Sequence, residues 1–375
     1  MLRDRVVVIE AGRIAGIGTG STPDGMPVST VAETSILAPG FVDLQVNGGG
    51  GVLLNDAQDG ATLARVASAH RGFGTTSLMP TLISGREAQI RAALCATRDA
   101  VANAMPGIIG LHLEGPFLAL PRRGIHPADS IRGISESDLA LLVADHGFPL
   151  MLTLAPEYVP PSAIARLVAA GISVFAGHTD ATSEQADSAL AAGLRGATHL
   201  FNAMSHMTGR APGLVGAVLG HAAAMAGIIL DGHHVHPASA RAAYAALGPT
   251  RLFLVSDAMA SISSSKPSFM LGNTEIHRDG DRLAGPDGTL AGAHLTLDRA
   301  VRNAVQMLGI PLADALRMAT STPANAIGQH QIGRIALGAR ADLLELDANL
   351  TVRRIWQGGA PWGASPDIAS GKISP

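Results

Sequence analysis

The chain reads as an α/β protein: a (β/α)8 TIM-like barrel with a small β-sandwich formed by its N- and C-terminal segments. Three observations predict this. Eight short apolar runs alternate with longer helical patterns between residues 41 and 255. β-like segments stand at both ends of the chain, outside that alternation. Polar residues gather just after the apolar runs, where a parallel barrel opens its C-terminal face.

The first segment, residues 1–38, is β in character. Val6–Ile9 and Ile14–Ile17 flank Ala11-Gly12, a hairpin signal. Pro39-Gly40 ends it, and the barrel rhythm begins. The apolar runs are Phe41–Val46, Thr75–Met79, Ile108–Leu113, Leu150–Leu154, Ile172–Ala176, Gly196–Thr198, Ala226–Leu230 and Leu252–Val255. Helical patterns separate them, among them Ala61–Arg71, Arg86–Ala104, Ser137–Asp145, Pro161–Ala170, Ser183–Ala192 and Pro237–Leu247. Two more helices, Ala293–Leu308 and Leu312–Ala319, follow the eighth run. The chain then returns to β at Ala341–Leu346 and Thr351–Trp356. The domain reading is therefore 1–38 and 335–375 as two halves of one sandwich, with 39–334 as the barrel. A doubly wound open sheet competes poorly: Asn47-Gly48-Gly49-Gly50-Gly51 is not a GxGxxG fingerprint opening a helix. Ser261–Pro267 is the most loop-like stretch, placed where a lid over the site would sit.

Composition narrows the function classes. Hydrophobic residues make up 47% of the 375 and charged residues 15%, so the chain folds compactly. A formal net charge of -3 and the lack of a basic cluster argue against nucleic acid and anionic lipid as partners. The start, Met1 to Arg5, lacks the apolar run of a signal peptide, and Leu214–Leu230 is too short and too glycine-broken to span a membrane. Cys95 is the single cysteine, which suits a reducing cytoplasm.

The run ends carry the chemistry. Gln45 and Asn47 mark the first, His112 and Glu114 the third, His178 the fifth, His199 the sixth, Asp231 to His234 the seventh and Asp257 the eighth. Glu114, His178 and His199 make a sensible three-ligand set for Zn²⁺ or a similar divalent ion, which would lower the pKa of a water and leave room for it. Asp257 then suits a general base that takes the water proton and returns it to a leaving group. Each of these residues alone is more often structural; four at strand ends of one barrel form a site. His112 lies two residues before Glu114, on the same side of its strand, and reads as a supporting partner or a core histidine. His126 stands in a loop from which it could polarise a substrate carbonyl. Arg210 and His234, with the backbone near Asn202-Ala203, could receive a phosphate; an ion pair for Arg210 is equally compatible with spacing.

Taken together, the motifs resemble those of the N-acetylglucosamine-6-phosphate deacetylases, a branch of the amidohydrolase superfamily. The resemblance runs from about Ala38 to Leu346. It rests on Ala38-Pro39-Gly40-Phe41-Val42-Asp43, His112-Leu113-Glu114-Gly115-Pro116-Phe117, Gly124-Ile125-His126-Pro127, Ala176-Gly177-His178-Thr179, Thr198 to Met204, Asp231 to Val235, Val255 to Ala258, Gly288 to Gly292 and Leu316 to Thr320. It implies a barrel with a β-sandwich and hydrolysis of the N-acetyl group of N-acetylglucosamine 6-phosphate to glucosamine 6-phosphate and acetate. By position it implies Glu114, His178 and His199 as metal ligands, Asp257 as catalytic acid/base and His126 as the group polarising the acetyl carbonyl. Ile125, Asn202, Ala203, Arg210, His234 and Leu290 are the implied substrate contacts, and Gln45 joins them. Family members are often homodimers, with a phosphate contact that crosses the interface.

The chain departs from the family pattern in three places. Where many amidohydrolases carry His-x-His on the first strand for a second metal, it has Gln45-Val46-Asn47. An amide oxygen is a poor ligand for a transition metal beside imidazole and carboxylate, so one divalent ion per subunit, with zinc in first place, is expected. Ser261–Phe269 differs from the usual lid sequence, and Ala293 stands where serine is common. The rival readings are another N-acetylated amino-sugar phosphate such as the galacto epimer, a cyclic amide, or a silent barrel serving as a scaffold.

Overall fold

The computed structural model describes residues 5–19 and 27–362. The expectation drawn from Met1 to Arg5 lies mostly outside them, as do parts of the two terminal segments.

Eight parallel strands follow one another in chain order around the sheet. They are Phe41–Val46, Thr75–Ile83, Leu111–Glu114, Leu150–Leu154, Ser173–Ala176, Gly196–Ala197, Met225–Ile228 and Leu252–Leu254. Closure comes at the rim, where the backbone N–H of Asp257 donates to Gln45 O and that of Asn47 to Ala258 O. The strands are buried on both faces, which is why they read as unbroken apolar runs. The second strand extends four residues beyond its expected end, through Pro80 to Ile83.

Helices alternate with the strands and are punctuated by their own side chains. Asp59 accepts from the backbone of Thr62 at the start of Gly60–Arg71, and Thr182 with Gln185 forms a capping box before Ser183–Ala191. Leu297–Leu308 buries Leu297, Ala300, Val301 and Ala304, an i, i+3, i+4, i+7 stripe, and stops at left-handed Gly309.

Both chain ends contribute to one antiparallel sheet, in the order Ala360–Pro361, Val352–Gln357, Leu343–Leu346, Ile36–Pro39. The hairpin Val6–Glu10/Arg13–Gly18 turns at Ala11 and Gly12, both with positive φ, and packs on that sheet. Ile14, Ala341, Leu343 and Trp356 share the small core between them.

One element was not anticipated. After the Ser261–Pro267 loop comes a three-stranded antiparallel sheet, Ser268–Leu271, Thr274–Asp279 and Arg282–Ala284. Its turns are Gly272-Asn273 and Gly280-Asp281, short hairpin signals that the helix–strand rhythm overshadowed. Leu271, Ile276 and Leu283 pack with Leu53, Ile83 and Met259 at the barrel mouth. The Ser261–Pro267 stretch, read from sequence as a lid or a surface loop, is thus the lead-in to a packed hairpin sheet.

Candidate active site

Glu114 ends the third barrel strand, and His178, His199 and Asp257 lie two or three residues past the fifth, sixth and eighth. The last three have left-handed backbones, with φ of 50°, 33° and 50°. Such conformations are costly for non-glycine residues and concentrate where a side chain must be aimed. Here they turn the chain sharply out of the strand, so that the side chains point back over the barrel mouth.

Gly196 is what lets the sixth strand come so close. It has φ of 149°, and a Cβ there would lie 1.7 Å from Met225 O. The short strand therefore packs backbone against backbone and delivers His199 over the barrel axis.

Glu114, His178 and His199 bring one donor atom each to within 4.8 Å of one another. Nε2 of His199 lies 3.0 Å from Glu114 Oε1 and 3.0 Å from Nε2 of His178. Nδ1 of His178 donates to the backbone oxygen of Arg122 at 2.9 Å, so its Nε2 carries a lone pair. Lone pairs converging on one point repel unless a cation or proton sits among them. This donor set, two imidazoles and a carboxylate, fits a divalent metal of zinc's kind.

The protein groups polarise one another. Burial pushes the Glu114 carboxyl up, but bonds to His178 and His199 outweigh it and hold it well below its ordinary value. Burial pulls His199 down, yet Glu114 raises it overall. Asp257 is pushed up to about 6 by burial and by the charge of Glu114, against the pull of His199 and His234. His126 is held well below its ordinary value by burial and by its neighbour His178, so it is neutral.

A cavity of about 380 Å³ opens above these groups. Glu114, His126, His178, His199 and Asp257 all line it, and so do Ile125, Asn202, Ala203, His234 and Leu290. Two of the sequence-predicted residues are not on its wall. Gln45 is buried behind Glu114, with Nε2 donating to Glu114 Oε1 at 2.9 Å. Its amide nitrogen is thus turned to the carboxylate. Arg210 is exposed at the tip of a turn closed by Thr208 and Ala211, and does not reach the cavity of its own chain. Its sequence position, close to Asn202, said nothing about which way that turn faces.

Three further residues at the site had no role assigned from sequence: Arg122, and Asn47 and Asp231, which mark the ends of the first and seventh runs. Arg122 stands on the wall and pairs with Asp180 at 2.9 Å. Asn47 donates to Asp257 Oδ1 at 2.7 Å, and Asp231 Oδ2 bonds Nδ1 of His234 at 2.6 Å. The Asp231-Gly232-His233-His234 spacing carried a signal for the second pair. Nothing in the sequence joined Asn47 to a residue 210 positions away. His112 lies outside the cluster, bonded to Thr153 Oγ1 at 2.8 Å and to Thr81 Oγ1 at 3.3 Å, as a supporting core histidine. Among the described residues no helix is long and apolar enough to cross a membrane.

Comparisons agree with this architecture. The amidohydrolase family profile matches residues 36–369. An N-acetylgalactosamine-6-phosphate deacetylase of Shewanella sp. (strain ANA-3) is 43% identical over 323 residues, covering 86% of this chain and 82% of that protein. The N-acetylglucosamine-6-phosphate deacetylase of Vibrio furnissii is 33% identical over 368 residues, covering 95% and 90%. Among solved structures, the N-acetylglucosamine-6-phosphate deacetylase from Pasteurella multocida superposes with a TM-score of 0.93 at 34% identity, over 96% of both chains. With the family profile spanning most of the sequence and relatives this similar along nearly all of it, the chain belongs to the amidohydrolase family.

Proposed function

We propose that the chain hydrolyses the N-acetyl group of N-acetylglucosamine 6-phosphate, releasing acetate and glucosamine 6-phosphate. The observation that carries this reading is the convergence of Glu114, His178 and His199 beside Asp257 in one cavity. Relatives whose names state this activity support it.

Glu114, His178 and His199 would hold one divalent ion, zinc in first place. Bound there, such an ion makes a water a stronger nucleophile and draws electron density from the acetyl carbonyl. The residues of the chain do the rest. Asp257 takes the proton of the attacking water. Its Oδ1 is occupied by Asn47, which leaves Oδ2 for that proton. The same oxygen then delivers it to the amine nitrogen as the C–N bond breaks. His126 donates to the carbonyl oxygen as negative charge builds there. Ile125 and Leu290 pack against the sugar, Arg122 and the backbone at Asn202-Ala203 offer donors to phosphate and hydroxyls, and Nε2 of His234 offers a hydrogen-bond partner to a hydroxyl. A homodimer and a cytoplasmic location belong to the same reading, resting on the resemblance and on the single cysteine.

A second reading, the galacto epimer, is favoured by the relative at 43% identity. Acetate release from both 6-phosphates, with and without chelator, tests the pair. Chelator-sensitive turnover of the gluco sugar at the higher kcat/KM supports the first reading. A preference for the galacto sugar selects the second, and no acetate from either removes both.

A further inference from the structure

We propose that Ser84 is a positioning residue for this hydrolysis: its hydroxyl donates to Nδ1 of His126 and so keeps the imidazole proton on Nε2. The inference rests on the reading of His126 as the donor to the acetyl oxygen. A neutral imidazole has one N–H, and only the tautomer protonated on the reacting side can donate.

Ser84 Oγ lies 2.8 Å from His126 Nδ1. Both residues are buried, 2% exposed each. A hydroxyl can donate or accept, and two facts decide which. Among the described residues Nδ1 is the one acceptor bonded to this hydroxyl, so a proton pointed elsewhere would be left unsatisfied. On the far side of the ring, Nε2 faces Glu114 Oε2 at 3.8 Å. An ionised carboxylate favours an N–H over a lone pair at that nitrogen.

The local backbone is built to hold this hydroxyl. Ser84 has φ of 27°, in the region L-residues avoid. The side-chain amide of Asn55 clamps the preceding residue from both sides, accepting from Ile83 N at 3.0 Å and donating to Ile83 O at 2.6 Å. Ser84 N donates to Glu114 O at 2.8 Å, linking the turn to the ligand strand. Opposite, Gly115 leaves the space: a Cβ there would meet Ser84 Oγ at 2.6 Å. Strain that persists under this many constraints marks an aimed side chain.

Ser84→Ala and Ser84→Gly both remove the hydroxyl but act oppositely on a left-handed backbone, which glycine prefers. For each, kcat, KM and metal content are measured on the metal-loaded enzyme, and the His126 tautomer is read by nitrogen NMR. In the wild type His126 is expected as the Nε2–H form alone. Both variants should lose that single tautomer and about ten- to hundredfold in kcat, with KM within about twofold and metal retained. A wild-type His126 protonated on Nδ1, or wild-type kcat in Ser84→Gly, overturns the proposal. His126→Ala separates the two ideas. Undiminished turnover there removes His126 from the reaction, while the NMR pattern still decides what Ser84 does.

Discussion

Nδ2 of Asn47 donates to Oδ1 of Asp257 at 2.7 Å, joining the mouth of the first barrel strand to that of the eighth. The bond closes the barrel rim and orients the carboxylate in one stroke. Loss of the donor should therefore cost rate rather than binding. Asn47→Ala is expected to lower kcat about ten- to hundredfold with KM little changed. Asp257→Asn should fall further, by about a thousandfold or more, because it removes the proton carrier itself. Metal analysis of both purified variants should match the wild type. A wild-type kcat in Asp257→Asn would take that residue out of the reaction.

The first strand also bears on metal stoichiometry. Gln45 donates its amide nitrogen to Glu114, and the side-chain oxygens along this face belong to the amides of Gln45 and Asn47 and to the Asp43 carboxyl, which burial pushes up to about 7. None is a strong partner for a second transition metal. Elemental analysis should find one tightly held equivalent per chain, lost in Glu114→Gln together with activity. Two equivalents, both required for turnover, would show that the amide pair binds after all.

Acid stability has a separate source. The buried Asp138 carboxyl is raised by burial, but the Arg132 guanidinium and Ser135 overcome this and bring it down from 3.8 to about 2. Its folded pKa lies below its unfolded one. The stability it contributes is present above about pH 4 and is lost as pH falls through about 2. Discounted for the solvent that reaches Arg132, the contribution is about 1–2 kcal/mol. Unfolding free energies of wild type and Asp138→Asn from denaturant titration should differ by that much at pH 5 and draw together towards pH 2. A gap that does not narrow would assign the effect to packing instead.

Gly196 admits no side chain. With a backbone oxygen 1.7 Å from where its Cβ would sit, Gly196→Ala must push the sixth strand from the seventh and take His199 with it. We expect a loss of about 3 kcal/mol or more in chemical denaturation, with weakened metal retention. A variant that keeps both would mean that the strand pair shifts at little cost.

The residues of the candidate site were legible because a parallel barrel writes them at fixed places. A run of apolar residues must end where the strand leaves the core, and the polar residue that follows is aimed at the mouth. Glu114, His178, His199 and Asp257 could all be found in that way. Gln45 was also visible, but its direction was not: period-two alternation puts it inside the barrel without saying whether a ligand or Glu114 receives its amide. The hairpin sheet after Pro267 was missed because its strands are short and half-exposed, and their turns are the only strong local signal.

By itself the sequence determined the barrel, the sheet shared by the two chain ends, and the residue types available at each strand exit. These follow from local periodicity and turn chemistry, which act over a few residues. Only the tertiary structure decided which of those residues meet: Asn47 with Asp257, Ser84 with His126, Arg122 on the cavity wall and Arg210 away from it. Such contacts join positions tens to hundreds of residues apart, and their direction is set by backbone angles and close packing that no short window of sequence contains.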